Sequence, residues 1–191
     1  MKTIEIKGSK REATGKKDSK KLRVEGKVPC VLYGGQDPIH FYTSSKELKK
    51  LLYTPSVYLV NVDVEGTITK AIVQDAQFHA IEDEVLHVDF LKISEDKPIK
   101  IEIPVKVQGY AEGMRKGGKM KLNLRRLKVK ALPQYLPDAI PVNIDALDLG
   151  QSVKVGELEM ENIEFLNSKS VPVATIMITR AAKAAASSAG K

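Results

Sequence analysis

The sequence predicts a mainly β protein in two successive domains, and three observations carry that prediction. Apolar residues recur at every second position through much of the chain, the period of strands with one buried face. Helical spacing is confined to two short stretches near the start. A polar segment closed by proline, Ser94-Glu95-Asp96-Lys97-Pro98, interrupts the β pattern and reads as a linker (94–98) between residues 1–93 and 99–179. Four Phe, six Tyr and no Trp in 191 residues leave Val, Ile and Leu to build both cores.

The elements follow in order. Residues 10–29 have little apolar content but carry helix punctuation: Asp18 or Ser19 can cap a short helix bearing Leu22 and Val24, and Gly26 can end it in a left-handed conformation. That helix would present Lys20, Lys21 and Arg23 together. Residues 28–33 read as a strand running into the Gly34-Gly35 turn, with 39–43 as its hairpin partner and Pro29 at the strand's first residue or on an edge. Ser44-Ser45-Lys46-Glu47 has capping-box spacing, Leu48, Leu51 and Leu52 follow at helical spacing, and Pro55 stops the pattern. From Val57 the period becomes two: a strand over 57–64, the Glu65-Gly66 turn, a strand over 67–78, an acidic turn at Glu82-Asp83-Glu84 and a strand over 85–91. Beyond the linker, 99–107 alternates strictly. Residues 119–131 alternate with one slip at Arg125-Arg126 that suits a bulge. Residues 140–144, 152–155 and 171–178 supply further strands, with Pro133, Pro137 and Pro141 setting sharp connections. The glycine-rich, basic stretch Gly113 to Gly118 reads as a flexible loop. The tail, 180–191, is rich in Ala but has no apolar stripe to bury and is expected to be disordered.

Charge is concentrated. The net +7 resolves into +6 over residues 1–28 and +8 over 113–130, where there are eight basic and no acidic residues, with the remainder net acidic. Such blocks suit a polyanion partner, although solvated faces produce them too. No apolar run approaches the roughly 18 to 20 residues a membrane helix needs. Glu5 and Lys7 stand where a signal peptide would be apolar, and a single cysteine cannot form an internal disulfide; both point to a cytoplasmic protein.

Motifs for catalysis or metals are missing from the pattern. His40, His79, His87 and Cys30 offer no paired metal-ligand spacing, and there is neither a phosphate-binding loop nor a nucleophile elbow. His87 and Asp89 stand two apart on one strand, so they share a face at about 7 Å along it. They could orient a general base, or read base edges with Asp89 accepting from an amino group. Two polar residues on an outward sheet face satisfy the same pattern.

Several motifs fall in a recognisable order: Arg11-Glu12, Gly15-Lys16, Leu22-Arg23, Gly26-Lys27-Val28-Pro29, Tyr33-Gly34-Gly35, Gln74-Asp75-Ala76-Gln77-Phe78-His79 and His87-Val88-Asp89-Phe90. Later come Gly109-x-x-x-Gly113, Gly117-Gly118, Asp145-x-x-x-Leu149-Gly150 and Val155-Gly156-Glu157-Leu158. Together they resemble the bacterial large-subunit ribosomal protein L-twenty-five family, the Ctc general-stress family, in its long two-domain form. The resemblance implies an N-terminal β-barrel with short helices that docks on loop E of 5S rRNA, followed by a second small all-β domain. It implies RNA contacts at Arg11, Lys20, Arg23, Tyr33, Gln74, Gln77, His87 and Asp89, with no catalytic residue, metal or cofactor. The implied partners are 5S rRNA and the large ribosomal subunit, including its other proteins and 23S rRNA, with the chain a monomer within the ribosome. Two positions depart from the family: Lys20 stands where Arg is common, and Phe78 stands where Arg is frequent. The rival readings are a stress-related nonspecific RNA-binding protein or chaperone, and a hydrolase using His87 and Asp89.

Overall fold

The computed structural model describes residues 2–35, 37–180 and 183. The expected disordered tail falls almost wholly outside them. Packing divides the chain into two compact units, Met1–Ile99 and Lys100–Lys191.

The first unit is a closed barrel of six strands, β1 (Lys2–Lys10), β2 (Lys27–Tyr33), β3 (Ile39–Ser44), β4 (Tyr58–Val64), β5 (Thr67–Phe78) and β6 (Val85–Lys92), in the order β1-β3-β2-β6-β5-β4. Two helices, α1 (Lys16–Val24) and α2 (Ser45–Leu52), connect strands. The alternation seen in the sequence is the barrel wall. Val60, Val62 and Val64 of β4 and Val88 and Phe90 of β6 point inward with Ile6, Phe41 and the α2 leucines Leu48 and Leu51. Phe41 and Phe90 meet at 5.7 Å between ring centroids in the middle of this core.

Strand β1 has no counterpart in the sequence reading. It runs parallel to β4 from Lys2↔Tyr58 to Gly8↔Val64, and its last residues, Ser9 and Lys10, pair with β3 and thereby close the barrel. Only Ile6 of its nine residues is fully buried, so the run reads as charge rather than as strand. Pro29 lies within β2, a strand with neighbours on both sides, rather than at its start or on an edge. Its missing N–H is tolerated because the parallel pairing of β2 with β6 begins only at Cys30↔Val88.

The helix ends differ from expectation in detail. Helix α1 begins after Gly15 without a side-chain cap. Asp18 and Ser19 lie inside the helix and are used by Arg11 instead. Gly26 does end the helix, with φ +74, its N–H donating to the Arg23 carbonyl. Leu22 is buried, but Val24 is 82% exposed. At α2, Ser44 caps the Lys46 N–H, but the Glu47 carboxylate accepts from the Thr43 hydroxyl at 2.8 Å rather than completing a capping box.

Cys30 is buried in the barrel and its Sγ donates to the Val28 carbonyl at 3.5 Å. Burial pushes its thiol far above the ordinary range, with the Asp89 charge adding to the effect. Because the thiolate is the reactive form, Cys30 should stay silent to a disulfide reagent at pH 8 in the native protein and react as the barrel unfolds. Labelling at native rates equal to those in denaturant would contradict this.

The second unit has two sheets. One has the order β10-β7-β9-β12, built from β7 (Ile99–Gln108), β9 (Arg126–Ala131), β10 (Ile140–Asn143) and β12 (Ile163–Phe165); the other has the order β11-β13-β8, built from β8 (Lys119–Leu122), β11 (Ser152–Lys154) and β13 (Pro172–Met177). The expected single strand over 119–131 is therefore two strands in different sheets. The slip at Arg125-Arg126 falls where the chain crosses between them: Asn123 and Leu124 both donate to the Val173 carbonyl in one sheet, while the Arg125 carbonyl accepts from Val105 N–H in the other. The stretch expected to be a flexible loop begins with a packed helical turn, α3 (Glu112–Arg115), in which Gly113 is buried. Three-residue β12 was too short to leave a period in the sequence.

Candidate nucleic-acid interface

Strand β6 sends Val88 and Phe90 into the core and therefore turns His87 and Asp89 outward. Its neighbours bring further groups to the same outer strip. Across the antiparallel pair with β5, Gln77 stands opposite His87 and Asp75 opposite Asp89. Across the parallel pair with β2, Val31 stands opposite Asp89, and Tyr33 follows two residues later on the same face. The register shifts between Val73 and Asp75, which leaves Gln74 as an exposed bulge residue at the end of the strip.

The strip is internally ordered. His87 Nδ1 and Asp89 Oδ1 are 2.9 Å apart, much closer than the backbone spacing of the two residues, because the side chains lean together. This contact fixes the imidazole and leaves Nε2 as its remaining polar atom for a ligand. His87 and Asp89 keep 25% and 36% of their side chains accessible, so they are supported by neighbours yet reachable. Burial pushes the Tyr33 phenol up, with the Asp89 and Asp75 charges adding to it. Tyr33 is thus held as a neutral hydroxyl that can donate. In the folded chain it should titrate on the alkaline side of the ordinary tyrosine value. The unfolded chain releases that proton first, at its ordinary value of 10.0. The stability Tyr33 contributes is therefore intact below that pH and is lost as pH rises through its higher folded value. Ultraviolet titration of the wild type against Tyr33→Phe checks this; identical curves above pH 10 would contradict it.

Helix α1 lies beside the strip. Arg23 Nε donates to the Leu86 carbonyl at 3.0 Å, joining the helix to the residue before His87. Lys20 and Lys21 on the same helix are exposed. Arg11 behaves differently from its neighbours. Its side chain is only 7% exposed, its Nη2 donates to Asp18 at 2.7 Å and to Ser19 at 3.2 Å, and its backbone N–H donates to the His40 carbonyl. Arg11 clamps the start of α1 onto the barrel.

Of the residues singled out in the sequence, Tyr33, Gln77, His87 and Asp89 converge on one face, Gln74 and Arg23 border it, Lys20 stands on the adjoining helix, and Arg11 is bonded to the start of that helix. Asp75 also belongs to the strip, and its position two residues from Gln77 on a strand is the sequence signal for it. For the hydrolase reading, the nearest thiol, that of Cys30, faces the core while His87 faces out. Among the described residues no group of His, Cys, Asp and Glu could hold a metal ion, and no helix is long and apolar enough to cross a membrane.

Comparison with known proteins accounts for both units. The description "Ribosomal L25p family" fits residues 6–90, and "Ribosomal protein TL5, C-terminal domain" fits residues 98–180. Proteins named large ribosomal subunit protein bL25 match along nearly their whole lengths. The one from Phocaeicola vulgatus is 48% identical over 198 residues, covering 100% of both chains; that from Amoebophilus asiaticus is 46% identical, covering 99% of this chain and 96% of its own; that from Porphyromonas gingivalis is 40% identical, covering 97% and 98%. A closed barrel with an ordered polar strip, joined to a second small β unit, is thus the architecture of a two-domain ribosomal protein. The chain belongs to the Ribosomal L25p family.

Proposed function

We propose that this chain is a structural, non-catalytic component of the large ribosomal subunit in the cytoplasm, and that it holds 5S rRNA through the outer strip of β2, β6 and β5 together with α1. The observation that carries this reading is the convergence of Tyr33, Gln77, His87 and Asp89 on one barrel face, with Arg23 tying the cationic helix to its edge. Residues 1–93 form the RNA-binding domain, 94–98 the linker and 99–179 a second β domain that meets neighbouring ribosomal protein or 23S rRNA. The chain acts as a monomer there and needs no cofactor.

The chemistry suits an irregular RNA loop. Regular A-form RNA shows a wide, shallow minor groove, so a protein seeking specificity reads distorted segments whose base edges are displayed. Lys20 and Arg23 neutralise phosphates. Gln74 and Gln77 offer both donors and acceptors, Tyr33 donates, and His87 presents Nε2. Asp89 accepts from a base amino group. Asp75 and Asp89 stand side by side on this face, which penalises a bare phosphate there and favours an amino donor. Arg11 contributes by fixing α1.

A competition pull-down from total RNA at physiological salt tests the proposal. 5S rRNA should outcompete an equal mass of tRNA, and His87→Ala should weaken 5S binding about tenfold, the scale of one lost base contact, with no RNA cleavage by either protein. If about four phosphates are neutralised, affinity should fall roughly a hundredfold between 50 and 200 mM salt. Equal capture of all RNAs would favour the nonspecific binder or chaperone instead, and cleavage that depended on His87 would favour the hydrolase.

A further inference from the structure

The basic block of residues 113–130 looks uniform in sequence, but the fold divides it between two sheets whose lysines differ in their acidic partners. In the sheet containing β9, two of the block's lysines are answered. Lys128 Nζ lies 3.7 Å from Glu102 on β7, and Lys130 Nζ lies 3.3 Å from Glu164 on β12. Lys116, beside α3, is held at 2.7 Å by Asp148, which raises the lysine's affinity for its proton and lowers that of the carboxylate. These charges are balanced within the protein.

The sheet β11-β13-β8 is different. None of its three strands contains an Asp or Glu. Its inner face is closed by Ala174 and Ile176, both fully buried. Alternation then sets the outer face: Lys121 stands opposite Thr175, which stands opposite Ser152, and Lys119 stands opposite Met177. Asn123 extends the row and donates from Nδ2 to the Thr175 hydroxyl at 2.8 Å, leaving that hydroxyl's proton to point elsewhere. Among the described residues neither Lys119 nor Lys121 has an acidic partner.

We propose that this outer face is a second RNA-binding surface, which takes the phosphate and ribose backbone of regular duplex RNA. The inference rests on the ribosomal RNA-binding reading above only in requiring that the chain works among RNA. Lysines supply compact charge without the planar fork of arginine, and hydroxyl and amide groups supply neutral hydrogen bonds to phosphate and 2′-hydroxyl oxygens. The face has no aromatic ring on which an unpaired base could stack, so it recognises backbone and shape rather than sequence.

The test uses the full chain with Arg23→Glu and His87→Ala to weaken the barrel, titrated against a fluorescent RNA hairpin of uninterrupted Watson–Crick pairs. Lys119→Gln with Lys121→Gln should weaken hairpin binding about tenfold at low salt and reduce the log–log salt slope by about 2, as expected for two lost phosphate contacts. Lys128→Gln with Lys130→Gln should change binding less than twofold, and thermal unfolding should be alike for both pairs. Unchanged binding in the first pair, or equal losses in the two, would overturn the proposal. So would capture of poly-glutamate in preference to the hairpin, which would identify an acidic protein segment as the occupant. Failure of the barrel reading looks different: the otherwise wild-type chain would not distinguish 5S rRNA from tRNA, while the lysine dependence of hairpin binding persisted.

Discussion

Replacing Phe90 by alanine should destabilise the barrel by about 3–5 kcal/mol, the usual cost of removing a buried aromatic ring. Phe90 has no exposed surface and meets Phe41 at the centre of the core. It is also the register partner of Leu32 on one side and of Val73 on the other, so the cavity would open at the junction of three strands. Stability differences of this size shift the melting temperature of a domain under a hundred residues by on the order of 15 °C. Calorimetry of the full chain would measure the shift, and labelling of Cys30 would follow it independently. Since Asp89 adjoins Phe90 and His87 lies three residues before it on the same strand, the proposed 5S rRNA affinity should fall as well, although no outward group has changed. A melting point within about 3 °C of wild type would show that the core collapses around the missing ring.

Gly113→Ala should be the most damaging single-methyl substitution in the second unit. A Cβ at this position would lie 2.6 Å from the Leu149 nitrogen and 2.7 Å from the Asp148 carbonyl carbon, both backbone atoms that cannot rotate away. The Gly113 N–H donates to the Leu147 carbonyl and its carbonyl accepts from Gly118, so separating the two segments sacrifices hydrogen bonds on both sides. The cost of such overpacking is about 1–3 kcal/mol. Here the requirement is steric: Gly113 is absent from the glycines with positive φ. Chemical denaturation of Gly113→Ala beside Gly15→Ala, whose Cβ would meet nothing, provides the comparison. Equal midpoints would contradict the argument.

Much of the wall of each unit is legible in the sequence because burial of one face writes itself as alternation. Strands β4, β6 and β7 carry Val, Ile, Leu or Phe at alternate positions, and Ser44 announces α2. Legibility fails where burial is thin or the pattern has two physical causes. Strand β1 buries one side chain in nine, and β12 has three residues. The parity slip at Arg125-Arg126 is produced equally by a bulge and by a chain passing to another sheet, and only the partners of Asn123 and Arg125 decide. The site divides in the same way. That His87 and Asp89 share a face follows from their spacing. That Tyr33 and Gln77 join them depends on β2 and β5 flanking β6, a long-range pairing that no local period encodes, and it was the family resemblance that pointed to these residues. Charge is the least legible property of all. Arg11 and Arg23 look alike in a basic run, yet one is folded beneath α1 and the other reaches the edge of the strip.

The order in which the barrel strands are made gives the strip a further property. Tyr33 is on β2 and Gln77 on β5, and β6, which carries His87 and Asp89, is the last barrel strand to be synthesised and must settle between the other two. Before that step, the groups of the strip belong to separate stretches of chain. A surface assembled this late reports on its own folding: an incomplete barrel has nothing to offer a ligand, and any ligand that binds only the finished surface shifts the folding equilibrium toward it. For the ligand proposed above, closing of the barrel and binding would thereby be one coupled process, with the ligand acting as a selector for correctly closed chains.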